Sequence, residues 1–556
     1  MGTALIRNRA NKHFAKNPVL LRNRNVFPVE KNITTDLKEG IITPLWVKEV
    51  APGQTLDINL TSLVRLAPTV TPTMDNLIFK TFSFFVPYRQ CWKHFVNFMG
   101  EKEHPEDPEN EVEYTMPVIN SGETGFASLS LADHFGLPTL VPNLNVMRLP
   151  FDAHNRIYNF YFRNQKLENA KFQDDGDTDG TLSNYDLYRI SKARDYFTSC
   201  LPTINDGEPQ VRLPIGTEAP VVGNGKPMNY TDGTDNMYQY NSFTGIANVR
   251  KSTGTEAIGD TAAASAVPSG NKVMGLVTDS KYSGLMTDLT ETLGASILAV
   301  REAIALQEYQ ELNNRGGNRY FEQLANRYGT INPDLILHNP EYLGGTQKYI
   351  NIMPVVQTSA TSGQDTGAGN LTGYGIAVDG GNIIRKSFGE WGVVITYGVV
   401  TTYKKYQQGL HRQWTRFDKL DFMAPEFTLI GDQTVLNKEI YAQGEDVTDE
   451  NGNIIDEQPF GYQERYAEYK YDLNEIHGEQ RSNYTTSLDY NHLAEYYTEL
   501  PVLNKNFDKE NAPIERILQV TDDVQFLVDC NFSGENVIQL PINTIPAISS
   551  RFNNIA

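Results

Sequence analysis

The acidic loop at residues 175–186 has a spacing of side-chain oxygens that could coordinate a hard cation. Its sequence, DGDTDGTLSNYD, has side-chain oxygens at positions one, three, five, nine and twelve, with glycine at position six. These oxygens belong to Asp175, Asp177, Asp179, Ser183 and Asp186. An EF-hand loop wraps Ca²⁺ with alternate oxygens in this order. The pattern therefore predicts a calcium site, with reduced affinity because Asp186 stands where a longer, bidentate glutamate is usual.

A second interpretation of residues 175–186 is an acidic loop that faces solvent and binds no metal. Helices of the EF-hand type are not evident on either side of the loop, and Asp and Gly are common in exposed turns. Both interpretations stay open at this point. Calcium is the one cofactor that the sequence suggests, and no cofactor is required.

Basic residues are concentrated at the start of a chain that is otherwise strongly acidic. The net charge is −20 at pH 7, yet six basic residues precede the first acidic residue, Glu30. The six are Arg7, Arg9, Lys12, Lys16, Arg22 and Arg24. Nucleic acids are held through their phosphates, which need Lys and Arg. We therefore predict that these six residues bind DNA, the alternative being an idle, solvated terminus.

Signatures of enzymes are missing from the sequence. There is no GxSxG, HExxH or CxxC motif and no GxxxxGK phosphate loop, and nothing in the sequence pairs His411 with a nucleophile. Three widely separated cysteines, Cys91, Cys200 and Cys530, form neither a disulfide framework nor a metal cluster. No secretory or membrane-spanning run is present. We therefore predict a protein that is not an enzyme and that folds in a reducing cytoplasm.

Most of the regular patterns in the sequence predict β-strands. Leu56, Ile58 and Leu60 alternate with polar residues, which puts apolar side chains on one face of a strand. The run from Leu77 to Val86 carries aromatic side chains on both faces, so we expect both sides of that strand to be covered. The stretch from Gly392 to Tyr403 is rich in the β-branched and aromatic residues that strands favour.

Helical spacing of apolar residues occurs in two main stretches. One covers Leu149 to Arg163, and the other runs from Ile297 to Leu312. The second helix is expected to end at Gly316 and Gly317, because glycine adopts the left-handed conformation of a helix C-cap. Few helices among many short strands favour a β-sandwich over a doubly wound sheet.

Islands of sequence along most of the chain resemble one family of viral proteins. The islands are Ala67–Pro68, Met74–Leu77, Phe82–Pro87, Trp92, Phe98–Glu101, Asp195–Pro202, Arg319–Tyr320, Pro340–Gly345, Pro354–Ser359, Tyr406–Leu410, Asn437–Tyr441 and Phe460–Tyr466. They are similar, in the same order, to the major capsid proteins of gokushovirus-like microviruses (Microviridae), small tailless phages with circular single-stranded DNA. One departure is Tyr466, where family members often carry Trp.

The resemblance implies a mainly β fold, an eight-stranded antiparallel jelly roll of the viral capsid type with long loop insertions and a few helices. It implies a structural role in which the protein assembles with itself into a T=1 icosahedral shell around single-stranded DNA. Further implied partners are a host surface receptor, minor capsid proteins and a small basic DNA-binding protein. The expected location is the virion, after assembly in the cytoplasm of a bacterial host.

Changes in composition suggest four regions and leave one alternative function. We predict a basic extended arm at residues 1–40, a first part of the jelly roll at 41–203, and the rest of the jelly roll at 291–556. Between them, residues 204–290 are polar and rich in glycine, which predicts an insertion that extends from the surface. The resemblance implies that this insertion is a protrusion that meets the host. The alternative is a soluble β-rich carbohydrate-binding protein or glycosidase, because 68 acidic residues leave room for a catalytic carboxylate pair.

Overall fold

The computed structural model describes residues 23–101, 113–207, 211, 297–317, 319–330, 338–356, 371–520 and 524–542, together with six short strands between residues 221 and 287. The chain divides into two compact units. The first combines Met1–Ile204 with Arg319–Ala556, and the second is Asn205–Asn318. Within the described parts of both units, no helix has the length and apolar character needed to cross a bilayer.

Nineteen strands are described, and most of them lie in the first unit. In chain order they are β1 (Asn25–Leu37), β2 (Thr43–Val50), β3 (Thr55–Leu66), β4 (Leu77–Pro87), β5 (Val118–Asn120), β6 (Asn145–Met147), β7 (Val221–Gly223), β8 (Asn229–Thr231), β9 (Met237–Tyr240), β10 (Val249–Ser252), β11 (Gly275–Leu276), β12 (Leu285–Thr287), β13 (Glu341–Gly344), β14 (Gln347–Val356), β15 (Leu371–Ser387), β16 (Gly392–Thr402), β17 (Asp432–Leu436), β18 (Pro459–Glu464) and β19 (Phe526–Ile538).

The helices of the described residues are mostly short. They are α1 (Tyr88–Cys91), α2 (Phe95–Phe98), α3 (Leu131–His134), α4 (Leu149–Ile157), α5 (Ile297–Gly316), α6 (Tyr320–Tyr328), α7 (Asn437–Ile440) and α8 (Lys505–Asp508). A π-helical turn, Tyr158–Phe162, continues α4. Both predicted helices are confirmed, and Gly317 has the positive φ of 91° that a left-handed C-cap requires.

The first unit is built on one antiparallel sheet that folds over its own core. Its strand order is β1–β19–β3–β15–β14–β4–β16–β2, with β13 added beside β4. The rings of Trp46 on β2 and Phe532 on β19 lie with their centroids 4.8 Å apart, although these strands are near opposite ends of the order. The two halves of the sheet therefore face each other, and the predicted eight-stranded jelly roll is confirmed.

Strand β14 joins the two halves of this sheet. Its first residues, Gln347 to Ile350, pair with β4, and its later residues, Asn351 to Val356, pair with β15. The same strand thus belongs first to one layer and then to the other. This crossing closes that side of the barrel. The first half of β14 makes backbone hydrogen bonds with β4, and the second half makes them with β15.

Strand β4 is buried on both faces, as its aromatic sequence predicted. Phe79 and Phe85 point into the core between the two layers, where Leu56, Ile58 and Leu60 of β3 are also buried. The alternate residues of β4, including Phe84, pack in a second cluster that contains Trp92 and the apolar face of α4. Helices therefore cover the outer side of β4, and the opposite half of the sheet covers its inner side.

Part of the predicted N-terminal arm is a strand of the jelly roll. Residues Asn25–Leu37 form β1, which pairs with β19 along its whole length, from Asn25 opposite Ile538 to Leu37 opposite Phe526. The six predicted DNA-binding residues all precede this strand. The range given to the arm therefore contains a strand of the sheet as well as the basic residues.

The second unit contains the predicted surface insertion. Its described strands form a four-stranded sheet in the order β10–β9–β8–β11 and a pair of β12 with β7. This unit continues to Asn318, so α5 belongs to it, whereas the sequence suggested an end near residue 290. Much of residues 204–290 lies outside the described residues, and the role in host contact stays a prediction.

At Gly345, the chain between β13 and β14 passes very close to the backbone of β4. A methyl group in place of its hydrogen would overlap the carbonyl oxygen of Thr81 on β4. Beside it, the Thr81 amide donates to the Thr346 carbonyl at 2.9 Å, and the Thr346 amide donates to Thr81 Oγ1 at 2.9 Å. We expect Gly345→Ala to lower the free energy of unfolding, measured by urea denaturation, by about 1–3 kcal/mol.

Gly389→Ala is the matched control for this substitution. No heavy atom lies within 4 Å of the added methyl group at Gly389. The control should change the free energy of unfolding by less than about 0.5 kcal/mol. Equal stability of the two variants would mean that the backbone around Gly345 moves without cost.

Candidate cation-binding loop and basic residues

Arg148 lies at the centre of the acidic loop that the sequence analysis singled out. It follows β6 and stands directly before α4, whose first turn contains Pro150, a residue suited to that position. The Arg148 amide donates to the Pro117 carbonyl at 3.0 Å, which fixes the backbone. The side chain is completely buried. A buried guanidinium needs oxygen partners for its five N–H groups, and the loop supplies most of them.

Backbone carbonyl groups of the loop point at the Arg148 guanidinium. Nη2 donates to the carbonyl oxygens of Asp174 and Gly176 at 3.0 and 2.9 Å, and Nη1 donates to the Thr178 carbonyl. Nη1 also reaches Asp174 Oδ2 at 3.3 Å, and Nε donates to Asp152 Oδ2 at 2.7 Å. Alternate carbonyls thus surround a cation, but the cation is a side chain of the protein itself.

The predicted calcium ligands do not converge on a common point. Asp177 Oδ1 accepts hydrogen bonds from Trp92 Nε1 and from His94 Nδ1, each at 2.7 Å. Asp179 Oδ1 accepts from the backbone amide of Val118 at 2.9 Å. The loop carboxylates therefore anchor the loop to the elements around it.

The remaining predicted ligands also face other partners or solvent. Asp186 Oδ1 accepts from the Leu187 amide at 2.8 Å, while the exposed Asp175 uses its carbonyl to accept from the Lys93 amide at 3.0 Å. Ser183 is exposed in a short 3₁₀ turn. Among the described residues, no group of three or more His, Cys, Asp or Glu side chains could hold a metal ion. Calcium binding stays a prediction that this geometry does not support.

The environment of the loop shifts the pKa of three carboxyl groups. Burial raises the pKa of Asp152 to about 6, although hydrogen bonds from Tyr185 and Arg148 oppose the shift. The Thr178 hydroxyl and the Gly176 amide lower the pKa of Asp174. Hydrogen bonds from His94 and Trp92 lower the pKa of Asp177. The lowered pKa values keep Asp174 and Asp177 in the charged form, which suits a loop built around a cation.

Arg148 is the residue that sequence reasoning missed. The loop pattern indicates that oxygens surround a positive charge, but it does not say whether the charge comes from an ion or from the chain. The arginine lies 26 residues before Asp174, and nothing in the sequence between them reveals the contact. An arginine that directly precedes a helix with a buried apolar face was the available signal.

The predicted DNA-binding residues fall mostly outside the described residues. Arg7, Arg9, Lys12, Lys16 and Arg22 lie there. Arg24 is exposed at the start of the sheet, where Nη2 donates to Thr55 Oγ1 and to the Val537 carbonyl at 3.4 Å. Its contacts are with β3 and β19, and its predicted role in DNA binding stays a prediction.

His411 caps a turn, and the three cysteines are buried in the protein. His411 Nδ1 accepts a hydrogen bond from the Gln413 amide at 3.1 Å, which caps a short turn. Cys91, Cys200 and Cys530 are all buried and unbonded to each other. Burial raises the pKa of the Cys91 and Cys530 thiols to about 12, so neither is a ready nucleophile at neutral pH.

Removal of the Arg148 guanidinium should destabilise the loop and the helix behind it. Arg148→Met leaves Asp152 and three carbonyl groups without their donor, and a broken buried pair costs about 3–5 kcal/mol. We expect that loss in the free energy of unfolding, with faster proteolytic cleavage within residues 174–180. Arg385→Met is the control, because Arg385 is 81% exposed beside Asp57 and an exposed pair contributes about 1 kcal/mol or less.

A second experiment tests whether the same loop binds calcium. The thermal midpoint of the wild-type chain should be the same in a chelator and in calcium chloride, because Arg148 already neutralises the loop. A midpoint that falls on chelation, and that no longer does so in Asp177→Asn with Asp179→Asn, would establish calcium binding through the linkage of binding and stability.

Comparison with known proteins places this chain among phage capsid proteins. The family model for "Capsid protein (F protein)" matches residues 22–548. The chain is 37% identical over 549 residues to capsid protein VP1 of Bdellovibrio phage phiMH2K, covering 98% of this chain and 99% of that protein. It is 33% identical over 591 residues to capsid protein VP1 of Chlamydia phage 1, covering 96% and 97% of the two chains.

A third relative is similar over nearly the same length. Capsid protein VP1 of Spiroplasma virus 4 is 33% identical over 526 residues, which cover 92% of each chain. The matches cover 92–98% of this chain and therefore include both parts of the jelly roll. The chain therefore belongs to the capsid protein (F protein) family, as a member of the gokushovirus-like microvirus branch that its sequence resembles.

Proposed function

We propose that copies of this chain assemble into a T=1 icosahedral shell that encloses circular single-stranded DNA. Membership of the capsid family makes the protein a structural component of a virion and favours this role over a carbohydrate-binding protein or glycosidase. The T=1 geometry and the DNA are the proposed part. The structural observation that carries the proposal is an apolar surface that a monomer would leave in water.

This surface, the apolar segment, consists of residues 414–430 between β16 and β17. Phe417 is 88% exposed and Leu429 is 96% exposed, which is unusual for side chains of this size in a monomer. Other large apolar side chains of the segment that are at least half exposed are Trp414, Leu420, Phe422, Met423 and Ile430. Seven large apolar side chains exposed within one short segment are typical of a protein–protein contact.

Polar side chains hold the apolar segment in this orientation. Arg412 Nη1 donates to the Thr434 carbonyl of β17 at 2.8 Å, and Arg416 Nη2 pairs with the buried carboxylate of Glu468 at 3.2 Å. The Ala424 amide donates to the hydroxyl of Tyr466 at 3.1 Å. These contacts fix the segment, whose charged residues Asp418, Lys419, Asp421 and Glu426 are exposed beside its apolar side chains. We infer that a neighbouring copy of the chain covers it in the shell.

Charged residues in the apolar segment should block assembly and leave the fold intact. We expect Phe417→Asp with Leu429→Asp to give soluble monomers, because buried anchor residues at an interface each contribute about 2 kcal/mol or more. Sedimentation and electron microscopy would detect the missing particles. The thermal midpoint of the monomer should not change, because both side chains are exposed in the isolated chain.

Phe417→Leu with Leu429→Met is the matched control, since it keeps both positions apolar. Particles should form from this control in normal yield. Normal particles from the aspartate variant would show that the apolar segment is not an interface. Failure of the wild-type chain to form particles under any condition would contradict the assembly proposal itself.

We propose that the basic residues before Glu30 face the packaged DNA. A chain with a net charge of −20 needs local positive charge wherever it meets phosphates, and these residues supply six cations. Arg24 is exposed at the beginning of β1, so the preceding residues are attached at an edge of the barrel. Their function requires only that they reach the interior of the shell.

Neutralisation of the arm should weaken retention of DNA without preventing assembly. We expect shells of Arg7→Gln, Arg9→Gln, Lys12→Gln and Lys16→Gln to hold less DNA and to release it at lower salt. Four lost contacts at about 0.7 each should reduce the salt slope of binding by about 3. The control replaces four exposed cations of the barrel, Lys31, Arg65, Lys348 and Arg385, by Gln. Equal DNA loss in both variants would make total charge, and not the arm, responsible.

A further inference from the structure

A pocket in the first unit is lined by arginine and aromatic side chains. It has a volume of about 380 Å³ and lies between the π-helical turn after α4 and the start of α6. The lining residues that matter here are Arg156, Arg163, Arg319, Phe160, Tyr320 and Phe321. None of the described lining residues is Asp or Glu. Three guanidinium groups without a carboxylate in the wall are unexpected in a chain with a net charge of −20.

The arginine and aromatic groups of the pocket are held in place. The Arg319 guanidinium lies 4.5 Å from the centre of the Phe160 ring, and its Nη2 donates to the Asn159 carbonyl at 2.9 Å. The rings of Phe160 and Phe321 are stacked with their centroids 5.5 Å apart. These contacts orient the groups before any ligand arrives, which lowers the entropic cost of binding.

The pocket retains unused hydrogen-bonding capacity and a net positive charge. Arg163 Nη1 donates to the Glu168 carbonyl at 3.0 Å, but its Nε is buried without a hydrogen-bond partner. Glu322 is the carboxylate paired with Arg319, at 3.7 Å, and it also accepts from the Arg319 amide at 3.0 Å. Among the described residues, Glu322 is therefore the one carboxylate in an ion pair with any of these three arginines.

Lysine side chains line a second cavity beside the same π-helical turn, together with the carboxylates of Glu168 and Asp186. Lys171, Lys505 and Lys509 surround the single carboxylate of Glu168 at 2.8, 3.5 and 2.8 Å. The cavity has a volume of about 540 Å³. Tyr158 lines this cavity, and the next two residues, Asn159 and Phe160, line the arginine pocket, so both basic cavities border the same π-helical turn.

We propose that the arginine pocket binds a nucleotide of single-stranded DNA. The planar guanidinium groups match phosphate oxygens in pairs, and exposed aromatic rings offer a face on which an unpaired base can stack. Tyr320, which is 66% exposed at the start of α6, is the ring most accessible to a base. A duplex would hide the base faces, so this combination selects a single strand. The inference rests on the proposed enclosure of single-stranded DNA and names where the folded barrel holds it.

Binding of a short fluorescein-labelled oligothymidylate to the full-length chain, measured by fluorescence anisotropy, tests the pocket. We expect Arg156→Gln with Arg319→Gln to weaken binding and to lower the salt slope by about 1.4, or about 0.7 for each lost phosphate contact. Tyr320→Ala should weaken binding by about 5- to 100-fold with the salt slope unchanged, because stacking involves no counterion release. Thermal midpoints would confirm that each variant is folded.

The matched control is Arg65→Gln with Arg385→Gln, which removes the same charge from exposed positions on β3 and β15. The proposal would be overturned if the arginine-pocket variant bound the oligothymidylate with the same affinity as this control. Displacement of the oligothymidylate by inorganic phosphate at an equal phosphate concentration would also overturn it, because the site would then be a simple anion site. Binding in the N-terminal glutamine variant should remain sensitive to the pocket substitutions.

The same measurements separate this inference from the proposed function. A wild-type chain that binds no oligothymidylate at low salt, in particles or as a free chain, would contradict the proposed enclosure of DNA. A wild-type chain that binds it while the pocket variants bind equally well would overturn the pocket and leave the enclosure of DNA standing.

Discussion

The burial of β4 and β16 on both faces is the constraint on which the rest of the first unit depends. All eleven residues of β16 are buried, and every one of them pairs with a residue of β4 in an unbroken register. Their backbone groups have no access to water, so each must find its partner in the sheet. The other half of the barrel and the α4 region must therefore cover the two faces, and long connections can leave only at the strand ends.

The same need to satisfy buried polar groups explains the loop around Arg148. A guanidinium at the base of α4 is excluded from water, and the loop from Asp174 to Thr178 adopts the conformation that directs its carbonyl groups at it. Trp92 and His94, which follow α1, then hold the loop through Asp177. Two elements that are distant in the sequence are thereby fixed against each other by one buried charge.

The sequence predicted the elements that have a clear period and missed the contacts that depend on distant residues. Three such patterns are the alternation at Leu56–Leu60, the aromatic run of β4 and the helical spacing of α4. In each, the spacing of apolar residues along the sequence shows which face of the element is buried. The acidic loop was recognised as a ring of oxygens, but the sequence left a calcium site and a solvated loop both open, because Arg148 reaches the loop only through the fold. The arginine pocket could not be predicted, since Arg319 and Arg156 come from segments more than 150 residues apart.

The pairing of β1 with β19 ties the fold to the completion of synthesis. Asn25 lies opposite Ile538, so the first strand of the barrel must wait for the last one to leave the ribosome. At about 5–20 residues per second, the intervening chain takes on the order of half a minute to two minutes to appear. During that time β1 has no partner at its place in the sheet, and contacts of such long range form slowly. This edge of the barrel can therefore form only after Phe526–Ile538 has been synthesised, and chains that stop before β19 leave β1 without its partner strand.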